Sequence, residues 1–182
     1  MGRKRRQKPF FEEVEVLEMA AEGKSLAKVD DKVLFIPQTV PGDVVDVQVT
    51  KKRRRYMEGM VKKFHQYSDK RVDPFCEHFG VCGGCKWQFI PYEEQLKNKQ
   101  KTVVDALERI AKVELPEIPE IIPSEETTFY RNKLEFTFSN KEWLTQEQID
   151  SGENFENRNA LGFHVPGRFD KVLDIKKCWL QA

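Results

Sequence analysis

The chain has 182 residues, 39% of them hydrophobic and 34% charged, with a mean hydropathy of -0.65. That length holds one ordinary domain or two small ones; the composition excludes a membrane protein and wholesale disorder, and no apolar run nears the roughly 20 residues that cross a bilayer. Net charge is +1, but residues 1–71 carry 17 Lys and Arg against 11 Asp and Glu, whereas residues 72–182 carry 14 against 19.

Residues 1–9 form a basic tail with Arg3, Lys4, Arg5, Arg6 and Lys8. It runs into Phe10-Phe11-Glu12-Glu13 rather than an apolar stretch, so no secretory signal is read and the expected compartment is the cytoplasm. Residues 10–68 are expected to form a small OB-like barrel of about five strands. Glu13–Val16, Ser25–Val29, Val33–Ile36, Asp43–Val49 and Tyr56–Lys62 alternate or run apolar, and Gly23, Asp30-Asp31 and Pro41-Gly42 fall in the gaps. Such barrels commonly bind oligonucleotides, although a small sheet with no ligand shows the same pattern. Lys51, Lys52, Arg53, Arg54 and Arg55 lie unbroken between two of these strands. Runs of like charge repel one another until a polyanion neutralises them, so the two basic clusters together point to nucleic acid.

Residues 72–182 are expected to form an α+β region. Cys76, Cys82 and Cys85 open it with five and two residues between them, and Cys178 follows after 92 intervening residues. Cytosolic cysteines stay reduced, and three clustered thiols suit a metal-binding loop, with Gly83 and Gly84 allowing positive φ and backbone approach to sulfur. Phe75, Phe79, Trp87 and Phe89 flank this loop and are expected to shield what it holds. A helix should start at Pro91 and run to about Val113, with Leu96, Val103, Leu107 and Ile110 as a core-facing stripe. After a connector over 115–124, Leu134–Phe138, Leu161–Val165 and Lys171–Ile175 read as strands, Trp143–Asn159 as a helical or loop insertion, and Pro166-Gly167 as a turn. The last strand delivers Cys178.

Four thiolates can bind one tetrahedral zinc or one iron–sulfur cluster, and spacing alone does not choose. A compact trio joined by one distant cysteine suits a cluster better than the paired cysteines of a zinc ribbon. His65, His78 and His164 read as surface or packing histidines, since the cysteines complete a ligand set.

These residues carry a resemblance. The segment 76–106, with Cys82-Gly83-Gly84-Cys85, Gln88, Tyr92, Gln95-Leu96 and Lys99, resembles the cluster-binding region of RNA uracil-C5 methyltransferases; so do Tyr130-Arg131-Asn132-Lys133 and Leu161-Gly162-Phe163-His164 leading to Asp174-Ile175 and Cys178. The front barrel resembles the TRAM domain, an OB-like RNA-binding module. The resemblance implies a 4Fe-4S cluster on Cys76, Cys82, Cys85 and Cys178, S-adenosylmethionine as methyl donor in the full-length enzyme, and a uridine flipped from its stack for reaction at C5. It points to the 23S rRNA branch, because the tRNA branch typically lacks both the barrel and the cysteine set. An RNA partner is expected, with Lys51 to Arg55 and the Arg3 to Lys8 tail on its phosphates and Arg131, Phe163 and His164 as candidates for stacking on splayed bases, although Phe163 also suits a core and Arg131 an ion pair with an acid. The protein is expected to be a monomer, with no membrane involved.

The chemistry also needs a nucleophilic thiolate, a general base and a donor-binding domain. All four cysteines are assigned to the cluster and no Gly-x-Gly pair marks a cofactor turn. The chain is therefore expected to be the N-terminal, substrate-recognising part of such an enzyme, inactive alone. The rival expectations are a stand-alone RNA-binding module with a zinc staple, and an iron–sulfur electron carrier or redox sensor.

Overall fold

The computed structural model describes residues 8–181; Arg3, Lys4, Arg5 and Arg6 of the basic tail lie outside the described residues. Two compact units divide the chain. The first runs to Asp73 and resumes over Phe89–Ile122; the second comprises Pro74–Gln88 and the chain from Pro123 onward. A single boundary near residue 70 was the sequence expectation. Instead, the predicted helix groups with the barrel unit, and the cysteine loop alone groups with the later strands.

In the first unit, six strands curl into a half-barrel: β1 (Phe10–Glu15), β2 (Glu18–Met19), β3 (Lys24–Val29), β4 (Lys32–Pro37), β5 (Val44–Lys52) and β6 (Tyr56–Gln66), paired in the order β1-β5-β6-β4-β3-β2. All pairs are antiparallel except β4 with β6. The period-2 alternation puts Ala27, Leu34, Ile36, Val45, Val47, Val49 and Met57 into one core with Val14 and Val16. Asp30 and Asp31 join β3 to β4, both at positive φ (50° and 58°), the backbone of a tight two-residue hairpin that acidic turn residues tolerate. β1 bulges between Phe11 and Val14, where Glu13 has φ 49°. The Glu13 N–H donates to Asp46 Oδ1 at 2.9 Å, and His65 Nε2 meets the same oxygen at 2.7 Å. The Glu13 amide, with help from His65, holds the Asp46 carboxyl below its usual range.

Helix α1 (Tyr92–Asp105) begins after Pro91 with Glu93 and Glu94 in its first turn and continues as a wider turn over Ala106–Ala111. Its apolar stripe does not enter a core: no residue of α1 or of Ala106–Ala111 is buried, and Ile110 is 82% exposed. Helical spacing of apolar residues marks a face, but not what covers it.

The second unit is built on a three-stranded antiparallel sheet, β7 (Thr137–Ser139), β8 (Ala160–Val165) and β9 (Arg168–Asp174), in sequential order. The strand expected over 134–138 starts three residues later, and most of the 143–159 insertion is irregular apart from α2 (Gln146–Asp150), capped by Thr145 and Gln148. Gly162 is required on β8, because a Cβ there would lie 2.0 Å from the Leu173 carbonyl oxygen across the pair. Beyond β9 the chain returns along residues 129–131: Phe129 N–H donates to Trp179 O at 2.8 Å and Arg131 N–H to Leu180 O at 2.7 Å. That return carries Cys178.

Candidate metal centre and nucleic-acid interface

Cys76, Cys82, Cys85 and Cys178 all line one cavity of about 50 Å³ inside the second unit. One water needs only ~10–15 Å³, so the space exceeds a single solvent molecule. The loop is shaped by short backbone bonds: Phe79 N–H to Cys76 O at 3.0 Å and Cys82 N–H to His78 O at 2.8 Å. Gln88 Oε1 accepts from the Cys76 N–H at 3.2 Å and so ties the end of the loop to its start. The glycines act by close approach. Gly84 N–H donates to Cys82 Sγ at 3.3 Å, and a Cβ on Gly83 would lie 2.8 Å from the His164 carbonyl oxygen. Neither has positive φ; within the loop that conformation falls on Gly80. His78 Nε2 accepts from the Lys176 N–H at 3.1 Å, anchoring the segment that carries Cys178.

None of the four cysteines is in a disulfide. Burial pushes the Cys82 and Cys85 thiols up, and the neighbouring cysteines push both the same way. Gly84 N–H, Gln88 and, weakly, Arg131 pull back. Four thiolates around one small cavity repel one another and need a cationic centre to exist together. The donor set therefore fits a thiophilic metal group. Among the described residues, no three His, Cys, Asp or Glu side chains close on a point that one ion could occupy. Of the aromatics expected to shield the loop, Phe79 lines the cavity and Phe75 packs edge-on against Trp179, which also lines it. Phe89 is buried in the first unit under Arg71.

Arg131, Phe163 and His164 come together, lining a groove of about 720 Å³ in the same unit, with Gly83 and Gly84 of the cysteine loop on its wall. Phe163 stacks on Phe136 at 4.7 Å, and His164 Nε2 meets Thr137 Oγ1 at 3.2 Å. The groove adds Lys133, which the sequence marks only as part of the Tyr130–Lys133 stretch, and Arg168 and Phe169, which it does not single out. The signal was present in Pro166-Gly167-Arg168-Phe169, a turn followed at once by a cation and a large aromatic.

In the first unit the basic run forms the β5–β6 hairpin tip, closed by Arg53 N–H to Tyr56 O at 2.8 Å. The five cations are not equivalent. Lys51 Nζ is held by Glu58 at 2.9 Å, and that hydrogen bond raises the lysine and lowers the glutamate from their ordinary ranges. Lys52, Arg53, Arg54 and Arg55 are exposed. No helix among the described residues is long and apolar enough to cross a membrane.

Residues 11–62 match the model of the TRAM domain, the stretch that folds as the half-barrel. The chain is 60% identical over 163 residues to an uncharacterized RNA methyltransferase of Bacteroides thetaiotaomicron, an alignment covering 90% of this chain and 36% of that protein. This chain belongs to the RNA methyltransferase family. It spans about a third of the length of the curated relatives it matches. A further family member, the 23S rRNA (uracil(1939)-C(5))-methyltransferase RlmD of Francisella tularensis subsp. novicida, is 37% identical over 139 residues, covering 73% of this chain and 30% of that one. The fold is shared with the Pyrococcus abyssi tRNA (uracil-54, C5)-methyltransferase solved with S-adenosyl-L-homocysteine, at TM-score 0.51 and 22% identity over 92% of this chain and 32% of the other.

Proposed function

We propose that this chain is the RNA-recognising part of an S-adenosylmethionine-dependent uracil-C5 methyltransferase of 23S rRNA, acting in the cytoplasm, with a structural 4Fe-4S cluster on Cys76, Cys82, Cys85 and Cys178. The observation that carries it is a TRAM half-barrel ending in four exposed cations at one hairpin tip, in a chain 37% identical to a protein named for 23S rRNA. The cluster is favoured over zinc because a compact trio of cysteines joined by one distant cysteine suits a cluster better than the paired cysteines of a zinc ribbon, and all four thiols line one cavity.

S-adenosylmethionine supplies the methyl group when bound, but this sequence offers no Gly-x-Gly turn for it. The chain's own residues hold RNA. Arg53, Arg54 and Arg55 meet phosphates, while Arg131, Phe163 and His164 contact bases or sugars. With all four thiols turned to one cavity, none is left to add to the uracil ring, and the chain alone binds without methylating.

A tRNA substrate is the second reading, supported by the solved neighbour. Competition between a 23S rRNA fragment bearing the target uridine and a tRNA transcript separates them: preference for the fragment is expected, and preference for tRNA overturns the rRNA reading. The hairpin has its own test. Each lost phosphate contact lowers the slope of log affinity against log salt by about 0.7–0.9. The triple exchange Arg53→Ala, Arg54→Ala, Arg55→Ala should therefore flatten the slope by about 2 in a filter-binding series; an unchanged slope removes the hairpin from the RNA interface.

A further inference from the structure

The groove beside the cysteine loop has features that the hairpin tip lacks. Phe169 stands on its β8–β9 side, 88% exposed, immediately after Gly167 at φ 74° and Arg168. A phenylalanine so open to water leaves its ring face available, and a flat apolar face beside cations suits an unpaired base. Arg168 is not loose: its guanidinium lies 5.0 Å from the Trp143 ring centroid while the residue lines the groove. Arg131 and Lys133 complete a cationic rim. The one acid on the lining, Glu135, lies 3.7 Å from Lys133 with both side chains over four-fifths exposed, an ion pair that phosphate can readily replace. A duplex, whose base faces are already stacked, has no free face to offer Phe169; an unpaired base has one.

We infer that this groove binds single-stranded RNA, with a base stacked on Phe169 and neighbouring phosphates on Arg131, Lys133 and Arg168. This deepens the RNA-binding reading above and rests on it. It gives the second unit a role distinct from charge neutralisation: it selects RNA whose bases are splayed out, the state in which a uridine ring is accessible.

The test uses the whole chain and fluorescence anisotropy with an unpaired RNA of about twelve nucleotides, within the 4–16 nucleotide range of single-strand sites, beside the same sequence as a duplex. Phe169→Ala should weaken single-strand binding about tenfold, the scale of one lost stacked base, leave the salt slope unchanged and leave duplex binding unchanged. Phe169→Tyr should bind as the parent does. Equal weakening for both RNAs, or no change for either, overturns the inference. If Phe169→Ala has no effect while the Arg53, Arg54, Arg55 triple exchange still weakens binding, the groove fails and the general RNA-binding reading stands. If the parent chain binds neither RNA, both fail.

Discussion

Asp43→Ala should destabilise the first unit by about 3–5 kcal/mol, the scale for removing one partner of a buried ion pair. Asp43 is fully buried, and its two oxygens accept four hydrogen bonds: Val40 N–H at 2.7 Å, Ser68 N–H at 2.9 Å, Arg71 Nε at 2.9 Å and Arg71 Nη2 at 2.7 Å. The Arg71 guanidinium lies 5.0–5.4 Å from the ring centroids of Phe64, Tyr67 and Phe89. Removing the carboxylate strands that cation among aromatic rings and orphans two backbone donors, each worth ~1–3 kcal/mol when left unsatisfied. Arg71→Leu added to Asp43→Ala should recover part of the loss but not all of it, because the Val40 and Ser68 amides stay unpaired. All three tryptophans, Trp87, Trp143 and Trp179, lie in the second unit. The loss should therefore appear in thermal unfolding followed by circular dichroism as a shift of about 15 °C or more, with the tryptophan signal of the second unit less affected. A shift under about 4 °C, corresponding to less than ~1 kcal/mol, would mean that this knot does not hold the unit together.

The second large effect concerns Cys178. Joining Cys76 to Cys178 through a metal group closes a loop of about a hundred residues, and a cross-link over that length stabilises by roughly 4–5 kcal/mol in the chain-entropy picture. Cys178→Ser should lower iron content and colour and shift the tryptophan-monitored unfolding of the second unit to lower denaturant. In protein stripped of metal beforehand, the same exchange should move the transition by less than about 1 kcal/mol, because a Cys→Ser change at a half-buried position alone costs little. An equal shift with and without metal would assign Cys178 a packing role.

The barrel was legible in the sequence because each strand alternates against a single core, and because Asp30-Asp31 and Pro41-Gly42 sit where the chain must turn. β2 was not, since two residues show no period. The helix was legible and its environment was not: Val103, Leu107 and Ile110 keep helical spacing yet are exposed, and residues 89–122 join the first unit rather than the second. Convergence of Cys178 on the cysteine loop followed from counting thiols; the hydrogen bonds that bring it there, Lys176 to His78 and Phe129 to Trp179, leave no local pattern. Asp43 and Arg71 lie 28 residues apart and looked like ordinary surface charges. Lys51 looked equivalent to its four neighbours until the strand register set Glu58 opposite it.

The claim on which most depends is that four sulfurs from two distant stretches of sequence hold a single iron–sulfur group. Iron and acid-labile sulfide should be quantified per chain in protein prepared without oxygen, beside a visible spectrum. Four of each per chain with a broad brown absorbance is the expected result for a 4Fe-4S cluster. One zinc per chain with no sulfide, or four freely titrating thiols and no metal in folded protein, would contradict it.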